Sequence, residues 1–266
     1  MKFILIYFLV FLPFFSRSQD FYLGARSAGL AHASTTIGDS HSIFNNPGSL
    51  GIVEKETVSS GYSTLFEVEG WNSVFASINK KIANGFAGIG IFKFGDQLMN
   101  TSFVSLGFGH KLGIGSLGAS IVYQQMIIEG YGKSSFIRID FGGVVKFSNQ
   151  IKISGGIKNL SQSKISKKTE EYFPTLVFIG LCYSPVESMM LIGQLDNTLD
   201  FKENIKVSLE YKLAPLILRI GVQSQPVLVT TGLGIEIKRF DVDFAYQSNN
   251  TLGSSQTVNI SYHYLQ

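Results

Sequence analysis

NIKVSLEYKL, residues 204–213, alternates without a break: Ile205, Val207, Leu209, Tyr211 and Leu213 share one parity, Lys206, Ser208, Glu210 and Lys212 the other. A period of two sends successive side chains to opposite faces of an extended chain, so this is a strand with one apolar and one polar face. The code recurs along the sequence. In FIRIDFGGVVKF (136–147), Ile137, Ile139, Phe141, Val145 and Phe147 alternate with Arg138, Asp140 and Lys146. Ile235 and Ile237 alternate with Glu236 and Lys238, and Val242 and Phe244 with Asp241 and Asp243. Near the C-terminus Val258, Ile260, Tyr262 and Tyr264 stand against Thr257, Asn259, Ser261 and His263.

Two architectures write this code. A soluble sandwich turns its apolar faces to a core, whereas an outer-membrane barrel turns them to lipid and its polar faces to the interior. Three features select the barrel. Connections sort into a short set (80–85, 110–116, 148–150, 184–188, 212–216, 238–241) and a generally longer, more polar set (65–70, 94–101, 126–135, 159–174, 195–204, 247–256), with 223–227 a short exception. Short turns at one end and longer loops at the other are the transmembrane pattern, with the short turns facing the periplasm. The stretch 52–266 allows roughly 15 residues per strand and connection, against the 9–11 that a tilted membrane strand needs. The last strand also carries tyrosines on its apolar face, as the aromatic girdle at a bilayer interface requires. The expectation is an all-β, transmembrane antiparallel β-barrel of about fourteen strands; glycine-rich runs such as GFAGIGIF (85–92) blur boundaries enough to allow twelve.

Composition agrees. Charged residues make up only 15% of the chain, against about 25% in ordinary soluble domains, while mean hydropathy is +0.21. The one long apolar run, in MKFILIYFLVFLPFFSRS (1–18), has the layout of a signal peptide cleaved after Ser18. A single cysteine, Cys182, forms no intramolecular disulfide, and a net charge of +3 with dispersed lysines and arginines gives no nucleic-acid footprint.

Residues 19–51 do not alternate. A barrel of twelve or fourteen strands is too wide to be filled by its own side chains alone, and this segment is the part of the mature chain free to occupy the lumen. Its small residues, among them Gly24, Ala25, Ala28, Gly29, Ala31 and Ala33, suit close backbone approach. Asp39 is expected to cap a helix over 40–45, and Pro47 to end it by forcing Asn46 out of helical geometry. Arg26 and Asp39 are expected to pair with lumen charges such as Asp140, Glu210 or Lys206. The domain reading is therefore signal peptide 1–18, plug 19–51 and barrel 52–266. Arg138, Asp140, Lys206, Glu210 and Glu236 are expected to face the lumen.

GARSAGLAHASTTIGDSHSIFNNPGSL (24–50) resembles the N-terminal signature of the FadL and PorV group of outer-membrane proteins, G-A-R-x-x-G-(M/L)-G-x-A, then an acidic residue, then N-P-A-G-L. Gly24, Ala25, Arg26, Gly29, Leu30, Ala33, Asp39, Asn46, Pro47 and Leu50 match, with Asn45 beside them. His32, Gly48 and Ser49 depart: the group has a small residue near the first and Ala-Gly at the last two. The resemblance covers about 28 residues; elsewhere only the strand pattern agrees. It implies a fourteen-stranded barrel with its N-terminal segment inside. In the FadL branch it implies a transporter of hydrophobic compounds, and in the PorV branch a secretion-accessory barrel that serves type IX secretion in Bacteroidetes.

Chemistry-bearing motifs are sparse. Gly113-Ile114-Gly115-Ser116-Leu117-Gly118 spells G-x-G-x-x-G, but the strand ASIVYQQM follows it where a dinucleotide site needs a helix. His32, His41, His110 and His263 lack metal-ligand spacing, no Ser/His/Asp constellation appears, and no cofactor is implied. The first expectation is an accessory barrel of an envelope or secretion assembly. Its partner surface is the loop 159–174, with Lys164, Lys167, Lys168, Tyr172 and Phe173. The second is a FadL-like passive transporter of hydrophobic small molecules, with an apolar pocket beside the plug and a lateral opening marked by a strand-interior glycine or bulge. A secreted sandwich that binds ligands is third. Outer-membrane lipid is the partner common to the first two.

Overall fold

A computed structural model describes residues 22–165, 170–198, 202–249 and 252–264. The signal-peptide reading (1–18), Lys167 and Lys168 lie outside them. Fourteen antiparallel strands close on themselves: β1 (Thr57–Thr64), β2 (Asn72–Ile82), β3 (Gly85–Gly95), β4 (Met99–Leu112), β5 (Gly115–Ile128), β6 (Gly132–Lys146), β7 (Ile151–Lys158), β8 (Leu176–Val186), β9 (Met189–Thr198), β10 (Asn204–Leu213), β11 (Leu216–Ser224), β12 (Val227–Ile237), β13 (Phe240–Asn249) and β14 (Gly253–His263). Each pairs with its sequence neighbours, and β1 closes on β14 from Thr57↔His263 to Thr64↔Gln256. Closure removes every edge.

The outward parity is the apolar one. Ile121, Ile137, Ile179, Ile205, Val207 and Leu233 are each at least half exposed, an arrangement that suits hydrocarbon and not water. Tyr211, Phe240, Tyr262 and Tyr264 mark the end where both chain termini of the barrel lie, the periplasmic end by the short-turn rule.

At that end the turns are as short as the sequence suggests, for example 83–84, 113–114 and 214–215. The other end keeps longer connections at 65–71 and 159–175 and the expected short turn at 225–226, but two connections there are tighter than expected: 96–98 and 129–131 are three-residue hairpins, because β4, β5 and β6 continue through residues that read as loop. The longest connection is 159–175. It also substitutes for wall: β7 pairs with β6 only from Phe141 to Lys146. Above that point Leu160 N–H donates to the Ile139 carbonyl at 2.8 Å and the Ser161 hydroxyl accepts from Ile139 N–H at 3.1 Å.

Residues 22–53 run inside the wall and are almost wholly buried. Helix α1 (Ala25–Gly29) packs on β11 to β14, while α2 (Ser42–Asn45) and a 3-10 turn (Pro47–Ile52) pack on β3 to β6, so the segment spans the lumen. Local chemistry differs from the sequence reading at two points. The predicted helix over 40–45 is only α2, because the Asp39 carboxylate accepts from His41 N–H at 2.9 Å in a turn and leaves the helix without a side-chain cap. Pro47 does end α2, with Asn46 extended (φ −157°, ψ 108°), yet it also opens the 3-10 turn, whose Gly48 N–H is capped by Asn46 Oδ1 at 2.9 Å.

Close approach comes as much from wall glycines as from the segment. A Cβ at Gly90 would lie 2.2 Å from the Phe44 ring, one at Gly118 2.2 Å from the Pro47 carbonyl oxygen, and one at Gly48 2.4 Å from the Gly142 carbonyl oxygen. The glycine runs that obscure strand boundaries in the sequence are therefore where the segment presses on β3 to β6.

Candidate functional site

The lumen has two chemically different halves. Toward β2 to β5 the segment contributes Leu23, Ile43, Phe44, Leu50 and Val53 to a cluster with Phe75, Phe86, Phe92, Phe103 and Val122. Burying such a side chain contributes about 1.5–3 kcal/mol. This apolar half corrects the expectation of a polar interior, which alternation could not refine because inward phenylalanines and glycines break the polar parity.

Toward β6 to β13 the lumen is ionic. Arg26 forms two hydrogen bonds to Glu210, at 2.8 and 2.5 Å. Arg219 donates to Glu210 at 2.7 Å and to Asp243 at 2.6 Å. Of the partners foreseen for Arg26, the structure selects Glu210; Lys206 instead binds Asp196 at 2.5 Å, and Asp140 binds Arg138 at 2.7 and 2.6 Å. Asp39 reaches Arg26 at 4.0 Å. The ammonium groups of Lys158 and Lys206 both lie against the Tyr22 ring, 3.8 and 4.2 Å from its centroid, a cation–π arrangement that no spacing in the sequence announces.

Hydrogen bonds place the signature residues. Ala25 N–H donates to Asn259 Oδ1 at 2.7 Å, and the Gly29 carbonyl accepts from Thr230 Oγ1 at 3.0 Å. Asn45 ties the two ends of the segment, accepting from Leu23 N–H at 2.8 Å and donating to the Leu23 carbonyl at 3.0 Å. Asn46 donates to the Thr35 carbonyl at 2.7 Å. Gly24 faces the His41 ring, where a Cβ would come within 2.5 Å of Nδ1.

Glu236 has the inward parity and lines the lumen at its periplasmic mouth, half-exposed and paired with Lys212 at 2.5 Å. One of the sequence-derived positions needs correction. Phe173 is not a surface residue of the long loop: it is buried against Phe136, with ring centroids 5.2 Å apart, and under the Arg138 guanidinium. Lys164 and Tyr172 do remain on the loop's exposed hairpin, as a cation–π pair at 5.1 Å.

Two lumen cavities flank the segment. At the outer end a cavity of about 90 Å³ is lined by Tyr22, Leu23, Leu65, Phe75, Phe92 and Phe94, together with Gly24, Ala28 and the polar His32, Ser63, Ser73, Gln247 and Thr257. At the periplasmic end a cavity of about 500 Å³ is lined by charged groups, among them Arg26, Asp39, Lys55, Glu210, Asp243 and His263. A third, apolar hollow of about 600 Å³ lies on the lipid face, where small Ser60 and Ala76 stand between Tyr62, Val74, Ile91 and Ile260. The expected lateral opening is not a gap here, since β14, β1 and β2 pair continuously behind this hollow. Phe75 and Phe92 nonetheless border both it and the outer lumen cavity. Among the described residues no group of His, Cys, Asp or Glu is placed to hold a metal ion.

No protein-family model and no curated protein matches the sequence. Solved structures do match the fold. A "CymD monoaromatic hydrocarbon channel" superposes with a TM-score of 0.72 at 11% identity, covering 91% of this chain and 98% of the other. The Ralstonia pickettii toluene transporter TbuX gives 0.72 at 11% identity, covering 92% and 99%. A Pseudomonas aeruginosa FadL homologue gives 0.64 at 11% identity, covering 93% and 100%. The protein has the fold of FadL-type channels: a closed fourteen-stranded antiparallel barrel integral to the bacterial outer membrane.

Proposed function

We propose that the protein passes small hydrophobic molecules, monoaromatic hydrocarbons foremost, across the outer membrane, with residues 22–52 acting as a plug and the outer aromatic cavity as the first binding site. The observation that carries this reading is the cavity itself: Phe75, Phe92, Phe94 and Tyr22 put four aromatic rings on its lining, directly against the segment that fills the lumen. Aromatic pairs add about 0.5–1.5 kcal/mol each beyond burial. Its size favours a small guest. At about 90 Å³ it lies below the 300–1,000 Å³ of ordinary ligand pockets and nearer the engineered cavity of about 150 Å³ that takes up benzene. The names of two fold relatives, a monoaromatic hydrocarbon channel and a toluene transporter, point the same way.

This reverses the order in which the sequence ranked its alternatives. The secretion-accessory reading drew on the loop 159–174, and that loop turns Phe173 inward and lies along β6. Uptake of radiolabelled toluene by cells lacking the gene is the test. Slower uptake, restored by the intact gene, is expected; identical uptake with and without the protein overturns the proposal.

A further inference from the structure

On the side of β14, β1 and β2 one side chain touches the linings of both lumen cavities. Gly24 and Phe75 belong to the outer cavity, and Ser40, His41 and Ser261 to the periplasmic one. That side chain is the His41 imidazole. It meets the Phe75 ring edge-on at 5.4 Å and fills the space above Gly24, where even a methyl group would collide with Nδ1.

The forces holding this ring differ from those elsewhere in the segment. On the β10 to β13 side, Arg26 is clamped by charge-assisted hydrogen bonds to Glu210, the strong class. On the β3 to β6 side, backbone packs directly on backbone at Gly48 and Gly142. The His41 ring stacks on Phe44 at a centroid distance of 6.5 Å, and its polar contacts are to hydroxyls: Ser40 Oγ at 3.1 Å from Nδ1 and Ser59 Oγ at 3.2 Å from Nε2, with Ser261 Oγ 2.9 Å from Ser59 Oγ and 3.2 Å from Ser40 Oγ. Each such bond contributes about 0.5–1.5 kcal/mol net, and hydroxyls rotate to find other partners. The imidazole is therefore the side chain that can swing aside while the rest of the segment stays anchored.

We infer that the route across the protein runs through the lumen along β14, β1 and β2, and that the His41 side chain is its gate. This rests on the transport reading above, with a gate that joins the aromatic cavity to the charged one. Opening it leaves the wall closed and the ion network intact.

Single-channel recording in planar bilayers, with potassium chloride as the only permeant, tests the gate independently of what the natural substrate is. The unaltered barrel is expected to be nearly silent, and His41→Ala to show stepwise conductance. His110→Ala, which removes an imidazole from β4 outside the lumen, is expected to stay silent. Heat-modifiable gel mobility verifies that each barrel is folded. Ser59→Ala, which loosens the ring by removing a single oxygen atom, is expected to give brief openings. In a Cys182→Ser background, His41→Cys is expected to conduct, to close on reaction with benzyl methanethiosulfonate and to reopen with dithiothreitol. If folded His41→Ala and His41→Cys are as silent as the unaltered protein, or if Ser59→Ala and the benzyl adduct change nothing, the gate is refuted. Toluene uptake is a separate readout: a gate confirmed by conductance with no toluene uptake would reject the substrate and keep the route.

Discussion

Arg26 of α1 and Glu210 of β10 meet in a bidentate pair, Nε to Oε2 at 2.8 Å and Nη2 to Oε1 at 2.5 Å, joining the signature segment to the barrel wall. Arg219 holds the same carboxylate from β11, so Glu210 is shared between the segment and the wall. The segment's position depends on a charge that the wall keeps buried.

Arg26→Ala should therefore loosen the segment more than the barrel. Charge-assisted hydrogen bonds contribute about 1.5–3 kcal/mol, and Arg219 remains to compensate Glu210. We expect a loss of about 2 kcal/mol, measured as a lower urea midpoint, with protease cleavage between residues 22 and 53 rising while the strands stay protected. Arg26→Lys should recover little, because an ammonium cannot match both carboxylate oxygens. Unchanged protection of the segment in both variants would contradict the anchoring role.

Gly48→Ala places a methyl group 2.4 Å from the Gly142 carbonyl oxygen. The related signature carries alanine at this point, so the substitution restores the motif yet should destabilise this protein, by about 1–3 kcal/mol for overpacking. A variant as stable as the parent in urea titration would show that the 3-10 turn does not press on β6 as described.

Asn46→Ala removes the acceptor for Gly48 N–H and the donor to the Thr35 carbonyl from a site with no solvent access. Leaving buried partners unsatisfied costs about 1–3 kcal/mol. Asn46→Asp should be no better, since it sets a carboxylate oxygen against the Thr35 carbonyl. Urea midpoints of the two variants, compared with the parent, provide the measurement.

Phe92→Leu keeps an apolar residue in the outer cavity and removes a ring, which also stacks on Phe103 at a centroid distance of 4.9 Å. Loss of about 0.5–1.5 kcal/mol of aromatic contact predicts toluene binding weaker by about two- to ten-fold. The chain's one tryptophan, Trp71, lies 6.2 Å from Phe94 of the same cavity and supplies a fluorescence readout. Equal affinities would place the guest elsewhere.

Ile121, outward on β5 and 57% exposed, tests which face meets lipid. Ile121→Arg should cost about 2–4 kcal/mol near the bilayer midplane, while Ile121→Leu should cost almost nothing. Equal folding yields of the two variants in phospholipid vesicles would remove the basis for a membrane-facing wall.

Much of this was legible from residue order. Alternation in stretches such as 204–213 revealed the strands and their two faces, because side-chain parity is a local property of an extended backbone. Asn46-Pro47 announced the end of α2 for an equally local reason, the clash that a proline ring imposes on the residue before it. The strand pattern and the N-terminal signature pointed to a fourteen-stranded barrel.

What lies opposite what was not legible. Arg26 reaches Glu210 and not Asp140, Phe173 turns inward, Gly48 has no room for a methyl group, and His41 touches the linings of two cavities because barrel closure brings together positions far apart in the chain. Parity reports that a side chain points into the lumen, whereas the curvature of the wall decides which other side chain it meets there. The sequence by itself determined the strands and which of their faces meets lipid; only the closed tertiary structure decided the divided lumen, its ion clamp and the contact of His41 with the linings of both cavities.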